Sequence, residues 1–365
     1  MSFRDFLGNE ATVRHLREAI AADRLPHALI LAGPRGAGKY TLAVMLAQTI
    51  NCLDPKETDG LPDFCGVCSN CVRIGQAADL DARVDEAVAA REELREVDKK
   101  ETRILIQTHP DVLVIPPDPP QLLIKLGQVR TLIREIYRLP AEAKRAVYIF
   151  TRAAFMKEAA NSLLKVLEEP PDHASIILLA ENTGDLLPTI RSRANVFRLG
   201  ALPLEQIEAL LRERRKNWRP AQQALVARLA QGAVGQALGF DLEAYLASRT
   251  DALLILRNAL RDPDFSALFR MTETYRAGAE GQEKTSNLLR ALLSLLEDLL
   301  LIQSGTSQLV RNIDLEKELA AMAQQVSLEW IEAATRGIYE VESGMRRNLL
   351  RSLSLDAFAT GLARP

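Results

Sequence analysis

The 365-residue sequence is short of several things, and each shortage excludes something. It has no surplus of positive charge: 46 Lys plus Arg face 48 Asp plus Glu, a net charge of −2. That balance argues against a histone-like or tail-driven nucleic-acid binder, although it leaves room for a local basic face. No run approaches the roughly 18 uncharged apolar residues that a membrane-spanning helix needs, so no membrane association is expected. The N-terminal MSFRDFLGNE lacks an apolar core behind a basic stretch, which predicts no secretory signal and a cytoplasmic protein. Histidines number only four, and neither His27 nor His109 has a Ser or Cys partner at a catalytic spacing, so both are read as structural. Proline is missing from 264 to 364, and cysteine is missing everywhere outside Cys52 to Cys71.

What is present is ordinary globular material, 47% hydrophobic and 26% charged, in a chain long enough for two or three domains. Apolar residues recur at helical spacing from Ala11 to Ala22, and RLPHALILAG (24–33) reads as a turn and a short buried strand. A helix through TLAVMLAQTI (41–50) follows the glycine-rich GPRGAGK. Farther on, HPDVLVIPP (109–117), RAVYIF (145–150) and ASIILLAE (174–181) read as buried strands. Between them, GQVRTLIREIYRLP (127–140) and NSLLKVLEE (161–169) read as helices, the second stopped by Pro170-Pro171. Alternation of this kind predicts an α/β domain, a parallel sheet with helices on both faces, to about residue 200. Amphipathic helices at 203–216 and 220–231 and a Gly232/Gly235 turn then lead into a Leu-rich region without strand signals, including SNLLRALLSLLEDLLLIQSG (286–305), expected to be all helix. The highly charged 79–101 stretch is read as an exposed helix or a mobile insertion. Arg212, Arg214, Arg215, Lys216 and Arg219 form a basic cluster without interleaved aromatics, more in keeping with a solvated face than with a DNA contact.

Gly33-Pro-Arg-Gly36-Ala-Gly38-Lys39-Tyr40 fits the phosphate-loop pattern G-x-x-x-x-G-K-[ST] at every place but the last. Such glycines let backbone N–H groups converge on phosphate oxygens at a helix N-terminus, and the lysine adds a point charge. A phenol, however, is too long to hold Mg²⁺ where a Ser or Thr hydroxyl would, and Thr41 points about 100° around the helix. The other reading of position 40 is a variant tolerated in a working site. A second requirement of P-loop hydrolysis is a pair of carboxylates at the end of a buried strand, one for Mg²⁺ and one for the attacking water. After Ala146–Phe150 stand Thr151-Arg152-Ala153 instead, with no acid until Glu158. Binding of ATP or ADP is left open by these residues, but hydrolysis is not expected.

Cys52-x12-Cys65-x2-Cys68-x2-Cys71 supplies four thiolates, enough to close a tetrahedral Zn²⁺ shell with no open position for catalysis. An iron–sulfur cluster or unmetallated core thiols are the alternatives. In a chain without a leader, clustering of this kind points to metal rather than to disulfides.

Taken in order, RLPHALILAGPRGAGK, the cysteine knuckle, HPDVLVI, GQVRTLIREIYRLP, KRAVYIFTRAAFMKEAANSLLKVLEEPP and LLPTIRSRANVF resemble bacterial AAA+ clamp-loader subunits of DNA polymerase III, of the delta-prime kind. The likeness covers nearly the whole chain. It implies an AAA+ nucleotide-fold domain at 1–200 carrying a zinc module (52–71) and the charged insertion (79–101), a helical lid at 201–245 and a helical collar at 246–365. In the catalytic gamma/tau sisters an Asp-Glu pair stands at Thr151-Arg152, a Thr at Tyr40 and a nucleotide-sensing lid arginine at Gly235; this sequence departs at all three. Ser192-Arg193-Ala194 resembles the family's Ser-Arg-Cys motif, whose arginine reaches the γ-phosphate of ATP on a neighbouring subunit. The resemblance therefore implies a non-hydrolysing, stator-like subunit in a hetero-pentamer with gamma/tau and delta subunits. Such a complex places a sliding clamp on primer–template DNA. The rival readings are an active gamma/tau-type ATPase and a zinc-dependent nucleic-acid-binding module.

Overall fold

The computed structural model describes residues 2–119, 122–260, 265–275, 278–346 and 349–362. The chain falls into two compact units, Met1–Pro203 with Gly232–Gln236, and Leu204–Gln231 with Ala237–Pro365.

The first unit is built on strands β1 (Ala28–Ala32), β2 (Lys56–Thr58), β3 (Leu61–Asp63), β4 (Ile106–His109), β5 (Val112–Ile115), β6 (Ala146–Phe150), β7 (Ala174–Ala180) and β8 (Asn195–Arg198). Six of them form one sheet in the order β4-β5-β6-β7-β1-β8, while β2 and β3 make a separate hairpin. All neighbours in the large sheet are parallel except β4, which runs antiparallel to β5. β5, β6, β7 and β1 are continuous apolar runs because a parallel sheet covered on both faces has no solvent side. Successive side chains still alternate between those faces. Leu29, Leu31, Val147, Ile149, Ile177 and Leu179 join one core with the Lys39–Ile50 helix. Ile30, Tyr148, Phe150, Ile176 and Leu178 join the other, with Val129 and Leu132 of the Leu126–Glu135 helix and Leu163 and Val166 of the Lys157–Glu168 helix. Every residue from Leu42 to Ile50 is buried, as expected of a helix that is apolar on all sides.

The expected strand at 109–117 is narrower. Only Val112–Ile115 forms the strand, next to the edge of the sheet, and His109-Pro110-Asp111 is the turn by which β4 folds back as the antiparallel edge. His109 Nδ1 accepts the Asp111 N–H at 3.1 Å, and the Asp111 carboxylate accepts the N–H groups of Ala141, Glu142 and Ala143 at 2.7–2.8 Å. Burial alone would raise the Asp111 pKa, but those three N–H groups outweigh it and hold the carboxyl below its ordinary value.

The charged insertion is helical, Leu80–Glu92 followed by Glu96–Glu101, and no residue of its first helix is fully buried. It is anchored by Arg91, whose guanidinium meets the wholly buried Asp118 at 2.5 Å.

The second unit is entirely helical among its described residues. Its core gathers Leu256, Leu292, Leu295, Leu299, Ile331 and Ile338 from the helices Leu242–Leu260, Gly278–Gln303 and Leu328–Arg346. Within the expected helical range 246–365, positions 261–264, 276–277, 347–348 and 363–365 lie outside the described residues. Arg249 bridges Asp314 at 2.6 Å and Asn312 at 3.0 Å, and Asn312 in turn bonds the buried Asp298. Satisfying these groups within one network offsets their desolvation. In the basic cluster, Arg215 donates to the Leu238 carbonyl and lies over the Trp218 ring, while Arg212 faces Glu208. No described helix is long and apolar enough to cross a membrane.

Candidate functional site

The glycine-rich loop leaves β1 at Gly33, whose N–H bonds the last carbonyl of β7, Ala180 O, at 3.1 Å. A Cβ at Gly33 would lie 2.2 Å from Leu199 O, so only glycine fits between β1 and the segment after β8. Gly38, at φ 83°, starts the helix that Lys39 enters. The loop thus joins strand to helix N-terminus at the carboxyl ends of the parallel strands, where such sheets bind ligands.

The side chains around the loop are otherwise engaged. Lys39 Nζ folds back to the loop's own carbonyls, Gly33 O at 2.6 Å and Pro34 O at 2.7 Å. Burial lowers its pKa, and the charge of Glu181 opposes that shift. Gly235 N–H donates to Gly36 O at 2.8 Å, and Gln236 Nε2 donates to Arg35 O at 2.8 Å. A Cβ at Gly235 would stand 3.0 Å from Gly36 O and 3.2 Å from its Cα, so an arginine at this place would start against the loop backbone. Tyr40 is turned away altogether: its hydroxyl donates to Ala77 O at 2.5 Å, and burial drives its pKa well up.

β6 ends at Phe150, followed by half-buried Thr151 and exposed Arg152. The carboxylate whose charge reaches Lys39 is therefore not on β6. It is Glu181, one residue past the end of β7, the strand paired with β1. The sequence alone did not single out Glu181; its only signal there is an acid directly after a buried apolar run.

Ala77 stands in the short turn Gln76–Ala78 that follows the last cysteine's helix, Ser69–Gly75, so the Tyr40 bond ties the end of the cysteine module to the helix behind the loop. The four Sγ atoms of Cys52, Cys65, Cys68 and Cys71 all lie within 4.8 Å of one another, close enough to hold a metal ion. Sγ separations of 4.0 Å for Cys52–Cys68 and for Cys65–Cys71 come near the roughly 3.8 Å edge of a tetrahedron with 2.3 Å metal–sulfur bonds. They are about twice a disulfide bond. Backbone N–H groups of Cys65, Val67, Cys68 and Cys71 point at the sulfurs at 3.3–3.5 Å, stabilising negative charge there. At Cys68, burial opposes ionisation, yet the Cys71 and Leu53 N–H groups prevail and bring the thiol down to about 6. Cys52 and Cys71, where burial dominates, are pushed up. The β2–β3 hairpin fills the long gap between Cys52 and Cys65. Buried Arg17 holds it by bonding the carbonyls of Thr58, Leu61 and Pro62.

Arg193 lies elsewhere. It precedes β8, and β8 runs parallel to β1 with Leu29 opposite Asn195 and Ala32 opposite Arg198. The loop follows the far end of β1, so Arg193 is on the order of 15–20 Å from it at ~3.3 Å per residue, too far to serve its own loop. Its guanidinium rests against Glu168 and the Thr189 carbonyl.

The family model described as DNA polymerase III, delta subunit, matches residues 8–203, more than half of the chain and all the strands just described. The chain belongs to that family. It is similar to the DNA polymerase III subunit delta-prime of Bacillus subtilis, 26% identical with 92% of this chain and 90% of that protein covered. It is 30% identical to the subunit tau of Escherichia coli over 67% of this chain, but that match spans only 33% of tau. Among solved structures, a gamma subunit-related protein of Thermotoga maritima aligns with 96% of this chain and 98% of its own at 18% identity, TM-score 0.44. In this chain Lys39, Tyr40 and Gly235 are all bound up in contacts within the chain.

Proposed function

We propose that this subunit is the non-hydrolysing, structural member of its clamp loader and that Arg193 completes the ATP site of a neighbouring subunit. The carrying observation is the end of β6, where hydrolysis needs two acids and the chain offers Thr151 and Arg152. The turned-away Tyr40 hydroxyl supports the same reading. Arg193 fits a role in trans because it is remote from its own loop, permanently charged, and able to spread donors over phosphate oxygens. Arginines supplied in trans contribute about 10³–10⁵ in rate in GTPase systems.

In this reading the neighbours are gamma/tau and delta subunits of a hetero-pentamer in the cytoplasm, with residues 201–245 as lid and 246–365 as collar. Sliding clamp and primer–template DNA are met through the assembly. The four cysteines hold one structural Zn²⁺, a reading supported by four sulfurs close enough to share a single ion in a tetrahedral shell. One observation favours the rival active ATPase: Glu181 is a carboxylate within electrostatic reach of Lys39.

The test has two arms. The isolated chain is expected to show no ATP turnover with clamp and primed DNA; turnover abolished by Glu181→Gln would establish the rival. In the reconstituted complex, Arg193→Ala is expected to cut ATP hydrolysis and clamp loading with assembly intact, and unchanged hydrolysis would remove the trans role.

A further inference from the structure

Arg193 does not project freely from the surface; its guanidinium is gripped on both flanks. Glu168 Oε1 accepts from Nε at 2.8 Å and from the adjacent terminal nitrogen, Nη2, at 2.5 Å. Nη1, on the opposite flank, donates to Thr189 O at 3.0 Å and to Ser192 Oγ at 3.2 Å. Nη2 carries two N–H groups and only one meets Glu168, so the second points outward from the tip of the side chain. A third of the Arg193 side chain and about half of the Glu168 side chain remain exposed, with relative accessibilities of 33% and 49%.

Helix energetics do not account for an acid at this place. Glu168 is the last residue of the Lys157–Glu168 helix, where the helix dipole disfavours a negative charge. The helix cannot run on, because Pro170 follows Glu169, so the carboxylate is held in its final turn beside the start of β7. That brings it to the amino end of the parallel strands, where Arg193 also sits ahead of β8.

We propose that Glu168 is a positioning residue for Arg193: it clamps the Nε edge of the guanidinium so that the outward N–H of Nη2 is presented to the phosphate of an adjoining subunit. The inference rests on the trans-arginine reading above. An arginine loses rotamer freedom when fixed in one pose, and the Glu168 and Thr189 contacts offset that loss before the neighbour arrives. Charge cancellation does not defeat the role, since one carboxylate oxygen occupies one edge and the tip stays available.

The experiment uses the reconstituted clamp loader carrying Glu168→Ala, Glu168→Gln, Arg193→Ala or the Glu168→Ala/Arg193→Ala pair. Steady-state ATP hydrolysis is followed with clamp and primed DNA. Glu168→Ala is expected to lower kcat about three- to tenfold with little change in KM, because the arginine acts on charge that develops in the transition state. Glu168→Gln keeps an oxygen acceptor for Nε and Nη2 and should restore most of the rate. The double variant should be no slower than Arg193→Ala alone, because both changes act through one guanidinium. Melting temperature and complex assembly should match the parent, as expected of a half-exposed ion pair. If Arg193→Ala slows hydrolysis while Glu168→Ala does not, the positioning role is wrong and the trans role stands. A faster Glu168→Ala complex would make the carboxylate a competitor of the phosphate and overturn the proposal. If Arg193→Ala itself has no effect, the underlying reading fails first.

Discussion

Replacing Tyr40 tests whether the departure at the end of the phosphate loop is a lost metal ligand or a gained structural contact. The structure favours the latter, since the phenol ring packs on the core behind β1 and its hydroxyl bonds the carbonyl of Ala77, itself 1% exposed. Tyr40→Phe keeps the ring and removes the donor. An unsatisfied buried carbonyl costs about 1–3 kcal/mol, and the partly exposed ring lets some water reach it, so about 1–2 kcal/mol is expected. Tyr40→Thr would supply the hydroxyl that the loop pattern calls for, but it also deletes the ring. A fully buried aromatic costs about 3–5 kcal/mol to remove, so half-buried Tyr40 should cost about 2–4 kcal/mol. The loss should be local, loosening the cysteine module from the Lys39–Ile50 helix. Cys71 is the buried thiol of that module, so its labelling in the metal-free protein reports the opening. At a factor of ten per 1.4 kcal/mol, Tyr40→Phe should label about 5- to 30-fold faster and Tyr40→Thr faster still. Unchanged labelling in both variants would refute the argument that this hydroxyl anchors the module. ATP turnover gained by Tyr40→Thr would show instead that position 40 alone had silenced the site.

Metal analysis of the purified chain should find one zinc per molecule, and a strong chelator should lower the melting temperature and expose four reactive thiols. Cys65→Ser should lose the metal while the helical second unit keeps its circular dichroism; metal content well below one per chain would end the zinc assignment. Acidification should destabilise the first unit through His109, which is buried with Nδ1 already accepting the Asp111 N–H. Burial, reinforced by nearby Arg73, holds its pKa below the ordinary 6.5. The unfolded chain therefore takes up the proton first, and stability is full above about pH 6.5 and falls as pH drops toward the folded-state value. His109→Gln should flatten that part of the stability profile, and an unchanged slope would exclude His109 as its source.

β4 and β8 were not read as strands, whereas the other four strands of the large sheet, β1, β5, β6 and β7, were legible with the helices between them because strand and helix periodicity are local properties of ten or so residues. So were the strand, loop and helix around Lys39, the four-thiol set, and the lack of acids after Phe150, each a matter of residue type at short spacing. The His109-Pro110-Asp111 turn carries β4 antiparallel to the edge through bonds from Asp111 to residues thirty positions away, which no local window contains. The β2–β3 hairpin depends in the same way on Arg17, more than forty residues upstream. At the site, sequence alone determined which groups are present and which are missing. Tertiary structure decided what they do: Lys39 turned onto its own loop, Tyr40 drawn to Ala77, Glu181 set near Lys39 across paired strands, and Arg193 clasped by Glu168 at the opposite end of the sheet. The physical reason is one of range. Propensity and ligand chemistry belong to a residue and its neighbours, whereas charge pairing and hydrogen bonding across a sheet depend on which distant strands the core brings together.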